Sequence, residues 1–265
     1  MSFLVKQQSI VSGNITITWV TPSSSGVPQK TPGVLIPAYY FVPTSSPYVS
    51  GTGFQTIINV QQLYPNVPIY CIINGQSSGP PTSNNVGYQA VISALQAAGV
   101  KVLGYIATGS GTVLASTVEG EINTWATYNV NGIFFDQMNY ASGGSSYYFS
   151  LQTYCQGKGL NLIVGNPGVP TLQEYVGSCT IICTREDDDS SNPLPTSNLT
   201  QTTTGSPSGY AFLGYNTPTS SPNSTTLGYI ANGAQWIYIT DQVSPSQWSA
   251  VSSYFSNFVE ILSGL

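Results

Sequence analysis

Eight apolar strands alternate with mostly helical connections along this chain, and this repeat restricts the fold more than any other feature. Each strand is a continuous apolar run, which is typical of strands buried on both faces of a parallel sheet. Parallel strands joined by helices use right-handed crossovers, and eight of them close into a barrel. The strands are predicted at residues 34–41, 67–74, 101–108, 132–138, 160–168, 180–186, 209–216 and 236–241.

The repeat predicts an α/β fold, a (β/α)8 TIM barrel, over residues 33–265. The chain of 265 residues has the length that such barrels need, about 250 residues. The alternative is an open doubly wound sheet, but that fold usually has a glycine-rich first turn, which the strand containing Pro37 lacks. Helices are predicted at 54–63, 88–98, 113–128, 147–156, 225–231 and 247–262, with a short helical turn at 172–176 and a long loop at 187–208.

Residues 1–32 are predicted to form an N-terminal β arm with a linker. Residues 14–20 alternate apolar and polar side chains as a strand does, and residues 21–28 are rich in Ser and Pro. A closed barrel offers no free sheet edge, so the arm packs on the outer helices, forms a hairpin with residues 3–10, or joins a strand of a neighbouring subunit. The last arrangement predicts self-association, as in the assembly of a virus particle.

The chain is poor in charge. Only 6% of its residues are charged, against about 25% in typical soluble proteins, and it has no His. The five basic residues are scattered, which argues against a nucleic-acid partner. No stretch approaches the roughly 20 apolar residues of a membrane span, and the first residues lack the features of a secretory signal. The hydroxyl- and amide-rich composition favours an extracellular or particle-surface location, and Asn14, Asn198 and Asn223 begin glycosylation sequons.

The four cysteines predict neither a metal site nor a cofactor. Cys71, Cys155, Cys179 and Cys183 form no Cys-x-x-Cys pair, and no His is present to complete a zinc site. Cys71 and Cys183 lie in apolar strands, where a thiol packs as a small hydrophobic group. A disulfide between Cys155 and Cys179 remains open.

The strand ends carry the candidate site, because barrels of this kind place their working residues there. Asp136 ends the apolar run that begins at Gly132, and Glu186 ends the sixth strand. Two carboxylates across a pocket are the minimal equipment for glycoside hydrolysis, whereas a Ser-His arrangement is excluded by the lack of His. Aromatic faces and amides at the other strand ends suit a sugar. The predicted substrate-binding residues are Tyr39, Asn74, Tyr105, Gln137, Asn166, Tyr215 and Asp241.

Structural roles are the alternative for these residues. Asp136 and Asp241 each precede a turn or helix that an Asp caps well, and Asn74 and Asn166 precede turn residues. Glu186 begins the acidic run 186–189, which also fits a solvated loop surface.

Several strings in the chain, in their order, resemble the spherulation-specific family 4 (spherulin 4-like) proteins. The similarity covers roughly residues 33–262. Its most specific parts are the strings of the third and fourth strands. The strings lie at residues 35–40, 72–74 with 78–80, 99–105, 132–136, 166–168 and 238–241.

The resemblance implies a (β/α)8 barrel and, from fungal relatives, hydrolysis of galactosaminogalactan or related α-1,4-linked galactosamine polymers. It also implies that Asp136 and Glu186 correspond to the acidic residues of the family's active site. The sequence departs from the family at Gln137, where a second carboxylate is usual, and at Gly75, where Pro is expected after Asn74. Gln cannot donate a catalytic proton or carry charge. Two hypotheses follow: a glycoside hydrolase acting on amino-sugar polysaccharide, or a non-catalytic surface or virion protein that binds glycan or serves as an assembly scaffold.

Overall fold

The computed structural model describes residues 5–11, 14–20, 31–75, 78–193 and 209–265. The chain divides into two compact units, Met1–Lys30 and Thr31–Leu265. In the first unit, β1 (Val5–Val11) and β2 (Asn14–Val20) pair antiparallel. The strand predicted at 14–20 is therefore present, and its partner is the preceding segment, which is the hairpin among the three arrangements that the sequence allowed.

The second unit is a closed barrel of eight parallel strands with helices between them, which confirms the predicted fold class. Each strand pairs with the next along the chain, and the last pairs with the first. The strands are β3 (Gly33–Pro37), β4 (Ile69–Ile73), β5 (Lys101–Ala107), β6 (Gly132–Asp136), β7 (Leu162–Asn166), β8 (Ile181–Asp188), β9 (Gly209–Tyr215) and β10 (Trp236–Ile239).

The helices surround this barrel. They are α1 (Gly53–Leu63), α2 (Asn85–Ala97), α3 (Ala115–Thr127), α4 (Ser145–Gly157), α5 (Pro222–Ala231) and α6 (Phe255–Ser263), with short 3-10 turns at Gly109–Gly111 and Gln173–Tyr175.

The barrel strands are buried along most of their length, as their continuous apolar runs require. In β6, Phe134 and Phe135 are at most 1% exposed. In β5, close packing depends on Gly104, where a Cβ atom would lie 2.4 Å from the indole ring of Trp125 in α3. The indole N–H of Trp125 donates to the carbonyl of Tyr105 (2.9 Å), so α3 is held against the strand that carries one of the predicted site residues.

The last helix is shorter than predicted. Residues 247–262 were expected to be helical, but α6 begins only at Phe255, and turns precede it. The backbone N–H of Ser252 donates to the hydroxyl of Tyr238 (3.1 Å) rather than to a carbonyl of its own segment. Such side-chain partners, in a stretch rich in Ser, compete with the helix for backbone groups.

Smaller differences concern the ends of other elements. β8 continues to Asp188, two residues past its predicted end, and α5 begins at Pro222, where a proline suits the first turn of a helix. The exposed Asn223, which begins a sequon, therefore lies in this helix. Residues 194–208 of the predicted long loop, with Asn198, lie outside the described residues.

Candidate active site at the carboxyl ends of the strands

An open pocket of about 400 Å³ lies at the carboxyl ends of β6 to β9. Five of the predicted site residues line it, because parallel strands of a barrel deliver their last residues to one rim. They are Asp136, Gln137, Asn166, Glu186 and Tyr215, and the pocket also contacts Pro167, Gly168, Val169 and Gln247.

The side-chain amide of Asn166 joins the two predicted catalytic carboxylates. Its Nδ2 atom donates to Oδ1 of Asp136 (2.8 Å) and to Oε2 of Glu186 (2.6 Å). Its Oδ1 atom accepts from the backbone N–H of Gly168 (3.0 Å), which fixes the amide orientation. Asn166 is 5% exposed, so this bridge is a built part of the site.

A bulge in β8 decides which way Glu186 points. Pairing with β9 skips Thr184, and the extra residue reverses the alternation of sides beyond it. Glu186 consequently lies on the inner side with Cys183, whose thiol pKa is raised by burial and then by the charge of Glu186. Arg185 points outward, where its Nε donates to the hydroxyl of Tyr229 in α5 (3.3 Å). The alternative of a solvated loop position does not hold for Glu186.

Two aromatic side chains bind the remaining carboxylate oxygens. The hydroxyl of Tyr105 donates to Oδ2 of Asp136 (2.6 Å), and the indole N–H of Trp248 donates to Oε1 of Glu186 (3.1 Å). Tyr39 packs edge-on against Tyr105, with ring centroids 5.4 Å apart. Each of the four carboxylate oxygens thus accepts a hydrogen bond, and both groups are held in fixed orientations.

Burial and like charge set the protonation of this site. Burial, followed by the charge of Asp136, raises the pKa of Glu186, although the donors Asn166 and Trp248 act in the opposite direction. Burial is also the largest cause that raises the pKa of Tyr39 well above its usual value, and the charges of Asp136 and Glu186 come next. Tyr39 therefore keeps its proton.

Gln137 directly follows Asp136 in a left-handed conformation, with φ of +52°, which residues with side chains rarely adopt. Its carbonyl accepts hydrogen bonds from the hydroxyl of Thr108 (2.9 Å) and the backbone N–H of Ser110 (2.8 Å). These bonds hold the turn, while the side chain is exposed and lines the pocket. Gln137 offers the pocket an amide without charge.

Four of the predicted site residues, Tyr39, Asn74, Tyr105 and Asp241, do not line the pocket. Asp241 accepts from the backbone N–H of Ser253 (3.0 Å). Burial opposes its charge, but this bond and others lower the pKa of Asp241 below its usual value. Asp241 thus stabilises the connection between β10 and α6. Oδ1 of Asn74 is buried and has no hydrogen-bond partner within the part of the chain that the structure describes.

Sequence reasoning missed Gln247 and Trp248. Both were assigned to the predicted last helix, whereas they lie in the β10–α6 connection and reach the site. The signal that favours this connection is the run 244–246, Ser-Pro-Ser, because proline beside serine marks turns more often than helices.

The described residues contain neither a metal-binding cluster nor a membrane-spanning helix. No cluster of Cys, Asp and Glu there is arranged to hold a metal ion, and no helix there is long and apolar enough to cross a membrane. The four cysteines are buried and free, so the disulfide left open between Cys155 and Cys179 is not formed.

Fold and site together define a (β/α)8 barrel protein with a hydrogen-bonded carboxylate pair in an open pocket at its carboxyl rim. The chain matches spherulation-specific family 4 (Spherulin4) over residues 33–262, and it belongs to this family.

Two relatives illustrate the similarity. Spherulin-4 of Physarum polycephalum is 29% identical over 178 residues, which cover 65% of this chain and 49% of the relative, so the chain spans about half of its length. The solved structure of Aspergillus clavatus Sph3 in complex with GalNAc has a TM-score of 0.71 and 22% identity, covering 89% of this chain and 98% of that chain. This second likeness shows a shared fold.

Proposed function

We propose that this protein hydrolyses glycosidic bonds in an amino-sugar polysaccharide of the galactosamine type, with Asp136 and Glu186 as the catalytic pair. The observation that carries the proposal is the bridging amide of Asn166, 2.8 Å from one carboxylate and 2.6 Å from the other. The two oxygens that it contacts lie no farther apart than the sum of these distances, about 5.4 Å. Retaining glycosidases have carboxyl separations of about 5–5.5 Å and inverting ones about 6.5–9.5 Å, so the geometry supports retention.

The environments of the two carboxyl groups support different roles. The raised pKa of Glu186 suits a general acid, which protonates the departing glycosidic oxygen. Asp136, whose two oxygens are oriented by Tyr105 and Asn166, then attacks the anomeric carbon and forms a glycosyl ester. In the second half of the reaction, Glu186 takes a proton from water, the hydroxide displaces Asp136 from the sugar, and both residues return to their starting states.

The sugar class rests on the composition of the pocket and on the family. Tyr215 offers an aromatic face, and the side-chain amide of Gln137 offers hydrogen-bonding groups to ring substituents. The solved complex of Sph3 with GalNAc supports an amino sugar, since that protein shares this fold.

The decisive experiment is to incubate the wild type and Asp136→Asn with acetylated and de-N-acetylated hexosamine polymers and to analyse the products by mass spectrometry. We expect shorter oligosaccharides from the wild type alone. If the wild type releases no product from either polymer, hydrolysis of this substrate class is excluded.

The second candidate is a glycan-binding or scaffold protein that does not cleave its ligand. It is favoured by the uncharged Gln137 beside Asp136 and by the separate unit Met1–Lys30, which is suited to self-association or assembly into a virion. In either case we propose an extracellular or particle-surface location, because only 6% of the residues are charged. Deletion of residues 1–30 tests the assembly role: we expect a folded barrel that no longer associates in light scattering. An unchanged size distribution would argue against it.

A further inference from the structure

A second depression lies on the same rim of the barrel, outside the carboxylate pocket. It has a volume of about 620 Å³ and is formed by the connection after β3, the first turn of α1 and the β10–α6 connection. We call it the rim groove; its lining includes Tyr40, Phe41, Thr52, Gln55, Ser249 and Val251. We propose that the rim groove binds further sugar units of the same polysaccharide, beyond those held at the carboxylates. This inference rests on the proposed function and extends it to an elongated substrate.

Phe41 is the feature of the groove that points to a sugar. Its side chain is 70% exposed, although Phe is normally among the most buried residues. Its neighbours Tyr40 and Val42 are 7% and 2% exposed, so the segment is anchored on both sides while the ring of Phe41 is presented to solvent. A pyranose has an apolar face of C–H bonds, and this face packs well on an aromatic ring.

The polar groups around Phe41 are acceptors for sugar hydroxyl or amine protons. The hydroxyl of Thr52 already donates to the carbonyl of Val49 (2.5 Å), and that of Ser249 donates to the carbonyl of Ser246 (2.7 Å). The amide N–H of Gln55 likewise donates to Asn59 (2.8 Å).

The hydroxyl oxygens of Thr52 and Ser249 and the side-chain carbonyl oxygen of Gln55 therefore keep lone pairs that can accept hydrogen bonds from a ligand. The groove is lined by uncharged side chains, so it is suited to the hydroxyl groups and apolar faces of a sugar better than to a phosphate or a charged peptide.

A single chain segment forms the wall between the groove and the carboxylate pocket. Gln247 lines the pocket, and Ser249 lines the groove. Between them, Trp248 binds Glu186 through its indole, and its carbonyl accepts from the backbone N–H of Tyr39 (3.1 Å). A polysaccharide that lies across this wall contacts both sites at once, which is why we assign the groove to the same ligand and not to a second one.

The test compares Phe41→Ala with a matched control, Leu63→Ala. Leu63 is also exposed (63%), but it lies at the opposite end of α1, about 10 Å along the helix from Thr56, the nearest groove residue in α1. KM is measured for hexosamine oligomers of increasing length, and the affinities of the Asp136→Asn protein, with and without Phe41→Ala, are measured by calorimetry. We expect long oligomers to bind better than short ones, and this advantage to shrink about three- to tenfold in Phe41→Ala.

Leu63→Ala should leave this advantage unchanged, and Phe41→Trp should preserve it. The inference is overturned if Phe41→Ala, with its fold intact by circular dichroism, shows the same dependence on length as the wild type. If the wild type cleaves nothing but Asp136→Asn binds long oligomers through Phe41, the hydrolytic proposal fails and the groove stands. If affinity does not increase with length, the groove fails whether or not cleavage occurs.

Discussion

The two sides of β8 hold acidic side chains in opposite electrostatic surroundings. On the inner side, Glu186 shares the Asn166 amide with a second carboxylate, Asp136. On the outer side, Arg185 forms ion pairs with Asp189 (3.0 Å) and with Asp187 (3.4 Å). The side chains of Arg185 and Asp189 are 4% and 5% exposed, so this outer ion pair is buried.

This difference separates chemical function from structural support within one short run of acids. Burial and the neighbouring charge of Asp136 raise the pKa of Glu186, which suits the general-acid role proposed for it. The outer acids are paired with a cation, and Asp189 also accepts from the hydroxyls of Tyr229 (2.5 Å) and Thr217 (2.6 Å). The outer network fixes the strand, and the bulge at Thr184 determines which side each acid occupies.

The largest expected effect is the loss of turnover when the inner pair is broken. Asp136→Asn removes the nucleophile while keeping the shape of the side chain, so we expect turnover on hexosamine polymer to fall about 10²–10⁴-fold or more, with the melting temperature nearly unchanged. Asp187→Asn, on the outer side, is the matched control and should retain wild-type turnover. Full activity in Asp136→Asn would remove the assigned role.

The next effect concerns stability, and here the outer side of β8 should matter more than the inner side. Arg185→Met leaves the buried Asp189 without its cation, and breaking such a pair costs about 3–5 kcal/mol in free energy of unfolding. Asp187→Asn should cost less than about 1 kcal/mol, because Asp187 is 33% exposed and its contact is solvent-screened. Urea unfolding of both variants measures this difference. Equal losses in free energy of unfolding would show that the Arg185–Asp189 pair stabilises the fold no more than the contact of Asp187 does.

The sequence predicted the barrel well because its strands are continuous apolar runs with regular spacing. It also placed Asp136, Asn166 and Glu186 at strand ends, where the structure brings them together. The run 186–189 looks uniform in sequence, however, and nothing in it shows which acid faces inward. That depends on how β8 pairs with β9, two strands whose connection includes the long loop.

The other part of the site that escaped prediction lies before α6. Trp248 fits the apolar spacing of a helix, but its segment forms turns, and tertiary hydrogen bonds such as that from the N–H of Ser252 to the hydroxyl of Tyr238 take up its backbone groups. Such partners lie in other elements of the fold, so local helix propensity could not predict these hydrogen bonds.

The smallest expected effect is a change in the pKa of Glu186 with opposite sign in two variants. Asp136→Asn removes the like charge, so the pKa of Glu186 should fall, although burial still holds it above its ordinary value of 4.5. Trp248→Phe removes a donor that favours the charged form, so the pKa should rise. Carbon-13 NMR titration of the carboxyl carbon measures both changes.

The same two shifts have a consequence for the pH profile. A general acid works only while protonated, so turnover falls as the pH rises through the pKa of Glu186. In Trp248→Phe the falling limb should therefore move to higher pH. If that limb moves to lower pH, the indole of Trp248 does not stabilise the charged form of Glu186. If Asp136→Asn raises the pKa of Glu186, then the charge of Asp136 is not what distinguishes the inner side of β8 from the outer side.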